Sequence, residues 1–99
     1  MSLEYLEKVL AGATAEPLSA TSIKCSQVIV QAKRANGGLC TVGTSAVVAT
    51  KGYEIMKPVA NLFSPEFRIE AEGGNAIDLS LIYLIGTQGD GVNILYEIY

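Results

Sequence analysis

From residue 23 onward, apolar and polar positions alternate in short runs, each broken by glycine, asparagine or proline. Val28, Val30 and Ala32 alternate with Gln27, Ile29 and Gln31, the period of two that puts one face of a strand in a core and the other in solvent. Asn36, Gly37 and Gly38 then predict a turn, since both residue types accept positive φ. Residues 39–43, 46–50, 53–56, 67–71 and 77–80 predict further short strands, with turns at Lys51-Gly52 and at residues 72–75. Residues 59–65 fit no period and read as a packed loop. The last stretch carries the sharpest local pattern. Two β-branched runs, residues 82–86 and 92–99, flank Thr87-Gln88-Gly89-Asp90-Gly91, which predicts a hairpin. About seven strands spaced roughly 8–12 residues apart predict an all-β fold, an antiparallel β-sandwich or jelly-roll-like barrel.

The first ten residues carry a different period. Leu3, Leu6 and Leu10 fall on one helical stripe with Val9 near its edge, Ser2 is placed to cap, and Glu4 and Lys8 form an i,i+4 pair. These features predict a short N-terminal helix stopping near Gly12. Such a helix is too short to stand alone. Its leucines either cover one end of their own β-domain or pack on a neighbouring subunit. Residues 13–22, small and hydroxyl-bearing around Pro17, predict an extended linker. The expected division is therefore a helix and linker arm over 1–22 and a β-sandwich domain over 23–99.

Composition narrows the function more than the fold. The 99 residues are 49% hydrophobic and only 17% charged, against roughly 25% charged in ordinary domains. So lean a surface fits either coverage by other copies of the chain or a Ser/Thr/Asn/Gly exterior. Seven basic and ten acidic residues give a net charge of −3, and no basic stripe exists to track a phosphate backbone, so nucleic acid is not an expected partner. No apolar run reaches the length of a membrane span. Glu4, Glu7 and Lys8 interrupt what would be a signal-peptide core, so synthesis and folding in a cytoplasm are expected. Cys25 and Cys40 are expected as small buried thiols in that reducing setting, although neighbouring strands would let them pair.

Reactive chemistry is hard to assemble from this inventory. The chain has no histidine, which removes the usual general base and the commonest metal ligand. Two cysteines alone do not make a zinc site, and Asp78 and Asp90 lie in no calcium-like loop. Residues 86–91 resemble a phosphate loop only superficially, because a strand-like run follows where a helix would be needed. No catalytic residue, cofactor or metal is expected, and the chain is read as a non-enzyme. Tyrosines at 83, 96 and 99 offer apolar area with a polar tip; Tyr83 and Tyr96 are expected in the core and Tyr99 at an interface.

Several segments taken together resemble a group of short bacteriophage virion proteins. They are Leu18-Ser19-Ala20-Thr21, Cys25, Val28-Ile29-Val30-Gln31-Ala32, Asn36-Gly37, Val42-Gly43 and Ala49-Thr50-Lys51-Gly52-Tyr53-Glu54-Ile55. The closing Ile82-Tyr83-Leu84-Ile85-Gly86-Thr87 and Gly89-Asp90-Gly91-Val92-Asn93-Ile94-Leu95-Tyr96 match the same group. The longer apolar loop at 57–66 and the N-terminal segment depart from it. The resemblance implies a capsid decoration (cement) or head-fibre protein of the virion, a homo-oligomer, expected as a trimer, that binds the major capsid protein or another virion protein. A tail or fibre accessory module binding carbohydrate or another surface is the alternative. Leu3, Leu6, Leu10, Leu62, Phe63 and Tyr99 are the expected interface residues.

Overall fold

A computed structural model describes residues 2–48, 50–57, 66–72 and 75–99. Among these, nine strands run in chain order: β1 (Leu3–Val9), β2 (Glu16–Pro17), β3 (Lys24–Ala32), β4 (Cys40–Gly43), β5 (Tyr53–Ile55), β6 (Glu66–Glu70), β7 (Ile77–Asp78), β8 (Tyr83–Ile85) and β9 (Gly91–Ile98). One sheet has the order β1-β9-β3-β6 with β7 also on β3, and the other has β2-β8-β4-β5. All pairings are antiparallel. Both sheets contribute to a single core, so the fold is an all-β, two-sheet sandwich.

The period-two reading of β3 holds: Val28, Val30 and Ala32 are buried, while Gln27, Ile29 and Gln31 face outward. Cys25 is buried too, which breaks the alternation. A bulge between Cys25 and Gln27 resets the phase, because the extra residue rotates the chain by half a pleat. Val92, Ile94 and Tyr96 of β9 lie across from this row, and Leu84, Val42, Cys40 and Ile55 close the core from the second sheet.

Three expectations fail, two for a tertiary reason and one for a local turn. The N-terminal helix is instead β1, paired with β9 in an unbroken register from Leu3 opposite Glu97 to Val9 opposite Gly91. The sequence supports either period, since Leu6 and Leu10 share a face in both. Pairing wins because a short helix is marginal in water, whereas the strand satisfies the edge of β9 and directs Leu6 and Leu10 into the core. The segment expected as an arm thus gives one strand to each sheet. Of the strand expected over 46–50, the described residues 46–48 and 50 form none. Val47 N–H bonds back to Thr44 C=O at 2.9 Å, and only an isolated bridge joins Val48 to Lys51.

The terminal hairpin is the third. β8 pairs with β2 and β4, and β9 pairs with β1 and β3, so the Gly/Asp turn carries the chain from one sheet to the other. Alternation cannot distinguish these cases, since both strands turn one face to the same core. A cluster of hydrogen bonds decides it. The Asn36 side chain, buried, donates to Gly91 C=O and accepts from Gly91 N–H, each at 2.8 Å. Asp90 accepts from Gly37 N–H at 2.9 Å and Gly38 N–H at 3.1 Å. Leu10 N–H reaches Asp90 C=O at 2.9 Å, and Gly89, at φ 90°, donates to Leu10 C=O at 3.0 Å. Gly91 must be glycine here, because a Cβ would strike Lys8 C=O on β1.

The open sides of the sandwich are closed differently. Lys8 of β1 and Glu16 of β2 form a 2.8 Å ion pair between the sheets. Glu16 also accepts from Ala11 and Gly12 N–H at 2.9 and 3.1 Å, pinning the crossover. Across the molecule, Tyr53 of β5 meets Phe67 of β6 edge to face, with ring centroids 5.5 Å apart.

Removing the Asn36 carboxamide leaves the buried Gly91 N–H without its acceptor, which costs about 1–3 kcal/mol beyond the bond itself. Asn36→Ala is expected to lower unfolding stability by about 2–3 kcal/mol in urea titrations. A loss under about 0.5 kcal/mol, the level of an ordinary surface change, would show that the clamp does not hold the sheets together.

Candidate interaction surface

The register of the larger sheet fixes its outer face. Leu3, Tyr5, Glu7 and Val9 of β1 stand opposite Glu97, Leu95, Asn93 and Gly91 of β9. Leu95 and Asn93 in turn stand opposite Ile29 and Gln31 of β3. An apolar row, Tyr5-Leu95-Ile29, therefore crosses three strands at one level. Tyr5, Ile29, Gln31, Asn93 and Leu95 line a shallow depression of about 320 Å³. Leu3 and Tyr5 are 61% and 57% exposed, and Val9 and Leu95 are exposed beside them.

Polar groups frame this row. Tyr5 Oη donates to Glu7 Oε1 at 2.9 Å and to Asn93 Oδ1 at 2.8 Å, alternatives for its single proton. Lys33, just beyond β3, reaches over β9 to Glu7 Oε2 at 2.6 Å. The bond from Lys33, with that from Tyr5, holds the Glu7 carboxyl below its usual pKa. An apolar centre with a fixed polar rim is the arrangement found at protein interfaces.

The expected interface residues separate into three groups. Leu3 lies on this face, and Tyr99, 59% exposed, ends β9 with its N–H bonded to Lys24 C=O. Leu6 is half-buried and packs on the core, and Leu10 is 2% exposed within it, so Leu10 is a core residue. Leu62 and Phe63, with the rest of the loop at 58–65, lie outside the described residues. Sequence reading missed Tyr5, Val9, Ile29 and Leu95. Strand alternation over residues 3–9 would have found the first two, had the helical period not been preferred.

Both thiols and Asp78 are tied into the fold. Cys25 and Cys40 are buried free thiols. Burial pushes both pKa values up, with Asp78 and Asp90 adding to the effect at Cys25 and Cys40 respectively. Asp78 accepts from Ser22 Oγ at 2.6 Å, Ser80 Oγ at 2.7 Å and Ser80 N–H at 3.0 Å, with Lys24 Nζ at 3.2 Å. The bonds from Ser22 and then Ser80 hold its carboxyl well below the usual range. Among the described residues, no group of three His, Cys, Asp or Glu side chains could hold a metal ion, and no helix is long and apolar enough to cross a membrane. No known protein family, curated protein or solved structure matches the chain.

Two expectations follow. The folded-state pKa of Asp78 is depressed below the unfolded value of about 3.9. The unfolded chain therefore takes up protons first on acidification, and stability present above about pH 4 is lost as pH falls. Asp78→Asn should flatten the fall in urea midpoint between about pH 5 and pH 2; a curve parallel to wild type would show that these donors do not favour the carboxylate. In addition, a disulfide-exchange reagent should label neither thiol in the folded protein over a period that labels both in denaturant. Rapid labelling under native conditions would contradict their burial.

Proposed function

We propose that this chain is a non-enzymatic structural protein of a bacteriophage particle, a capsid decoration or head-fibre component that attaches to the assembled shell in multiple copies. In this reading the partner is the major capsid protein or another virion protein, and the sandwich is of the jelly-roll-like kind. The observation that carries it is the outer face of the larger sheet. An apolar row with a hydrogen-bonded rim offers contact area for a partner. The segment-by-segment resemblance to short virion proteins points the same way. Many weak contacts of this kind, repeated by the symmetry of a shell, gain strength through multivalency.

A second reading keeps the same face and changes the ligand. Tyr5 stands exposed beside Gln31 and Asn93 in the shallow depression. An aromatic platform flanked by amide groups suits a sugar ring, so a carbohydrate-binding accessory of a tail or fibre remains the alternative.

One variant addresses both. Leu95 sits at the centre of the row on β9, and Leu95→Asp places a charge there while leaving the core untouched. In the shell reading, co-sedimentation of the variant with shells lacking the protein falls at least tenfold while its melting temperature stays within a few degrees of wild type. Wild-type protein should be present at a fixed copy number in purified particles. Undiminished shell binding by Leu95→Asp would remove this face from the attachment. Absence of wild-type protein from particles, with tight binding on a glycan array that is lost in Tyr5→Ala, would replace the shell reading with the carbohydrate one.

A further inference from the structure

β1 forms one edge of the larger sheet, and among the described residues it pairs with a strand on one side only, through β9. The parity of that pairing is set at its ends. Ile98 N–H bonds to Ser2 C=O, and Leu10 N–H bonds to Asp90 C=O, both at 2.9 Å. In an antiparallel pair with unbroken register, alternate residues bond to the partner and the rest point away. Even-numbered residues of β1 therefore bond to β9. Leu3, Tyr5, Glu7 and Val9 direct their N–H and C=O groups to the open edge, ready to accept another strand.

The sequence of this edge is complementary to itself. With an antiparallel copy placed about a two-fold axis at Leu6, Leu3 faces Val9 and Tyr5 faces Glu7. Glu4 faces Lys8, and Leu6 faces Leu6 of the second copy. Odd residues then meet odd residues, so the pairs exchanging backbone hydrogen bonds are those whose groups already point outward. Shifting the register by two residues loses the charge match. One shift sets Glu7 against Glu7 and Lys8 against Leu6; the other sets Glu4 against Leu6 and Lys8 against Ser2.

The geometry points to a second copy of this chain as the occupant of the β1 edge, forming a two-fold dimer by antiparallel β1–β1 pairing centred on Leu6. Lys8 is the residue that makes this edge selective. It points toward the core side, where it meets Glu16, and an inward-pointing charge on an edge strand ordinarily repels an arriving apolar strand. In the proposed register the second copy brings Glu4, an exposed carboxylate, opposite that ammonium. The charge that rejects unrelated strands thus selects this one. The two-fold lies perpendicular to the sheet, so the outer faces of both copies continue on one side. Leu3 of each copy then meets Val9 of the other on that side, one such apolar pair at each end of the seam. The inference does not rest on the virion reading, because it concerns the free protein in solution.

Sedimentation of the full chain at tens of micromolar is expected to show a dimer. Glu4→Lys, at an exposed position, sets like charges across the seam and should weaken association at least tenfold; Lys8→Glu should do the same. Mixed in equal amounts, the two variants restore opposite charges in both pairs, so a heterodimer of near wild-type strength is expected. Tyr5→Pro removes an outward N–H that β9 does not use. It should yield a folded monomer by circular dichroism, which decides the matter if Lys8→Glu does not fold. A wild-type monomer overturns the proposal, as does a trimer, whose cyclic contacts would not pair two β1 edges about a two-fold. Undiminished association of Glu4→Lys and of Tyr5→Pro, or a mixture of the two charge variants that stays monomeric, overturns it as well.

Discussion

The sandwich depends on one buried polar junction at the end of its core. Asn36, Asp90 and Gly91 tie together three segments that are remote in sequence: the loop after β3, the crossing from β8 to β9, and the end of β1. The Asn36 carboxamide acts like a strand residue, giving and taking one hydrogen bond with the Gly91 backbone. Asp90 collects two N–H groups from the glycine turn that follows. Buried polar groups are tolerable only when satisfied, and here each satisfies the others. The junction holds residues 90 and 91 where the chain passes from one sheet to the other.

What this junction positions is a surface. By bringing β1 against β9, it adds a strand whose odd residues extend the outer face, while Leu6 packs on the core and Lys8 reaches the opposite sheet. Lys8 and Glu16 span the sheets on that side, while Tyr53 and Phe67 meet on the other. The result is a sandwich with an apolar, hydrogen-bond-framed outer face and, at β1, an edge that no described strand covers. Both features suit a protein that works by adhering, because rigid contact residues lose little entropy on binding. Both aspartates accept hydrogen bonds within the fold, and both thiols are buried.

Several parts of this architecture were legible in the residues themselves. The alternation in β3, the turn at 36–38 and the all-β class follow from period and turn chemistry, while of the turn expected at 72–75 Gly73 and Gly74 lie outside the described residues. Tyr96 is buried in the core as expected, whereas Tyr83, also expected there, is only half-buried, because alternation in β8 turns Leu84 inward and Tyr83 to the other face. The outer face was less accessible. Its apolar members are single residues on three strands, and nothing in the order of the chain says that Tyr5, Leu95 and Ile29 will stand in one row.

The sequence by itself determined local preference: which segments are extended, where the chain turns, and which face of a strand seeks the core. These depend on neighbours within a few residues. Only the tertiary structure decided between readings that local preference leaves equal. Residues 3–9 satisfy a helical period and a strand period alike, and the open edge of β9 settles the choice. Residues 82–99 pattern equally well as a hairpin and as two strands in opposite sheets, because either arrangement turns the same side chains inward. Hydrogen bonds from Asn36, more than fifty residues away in the chain, select the crossing, and no window of local sequence contains both partners.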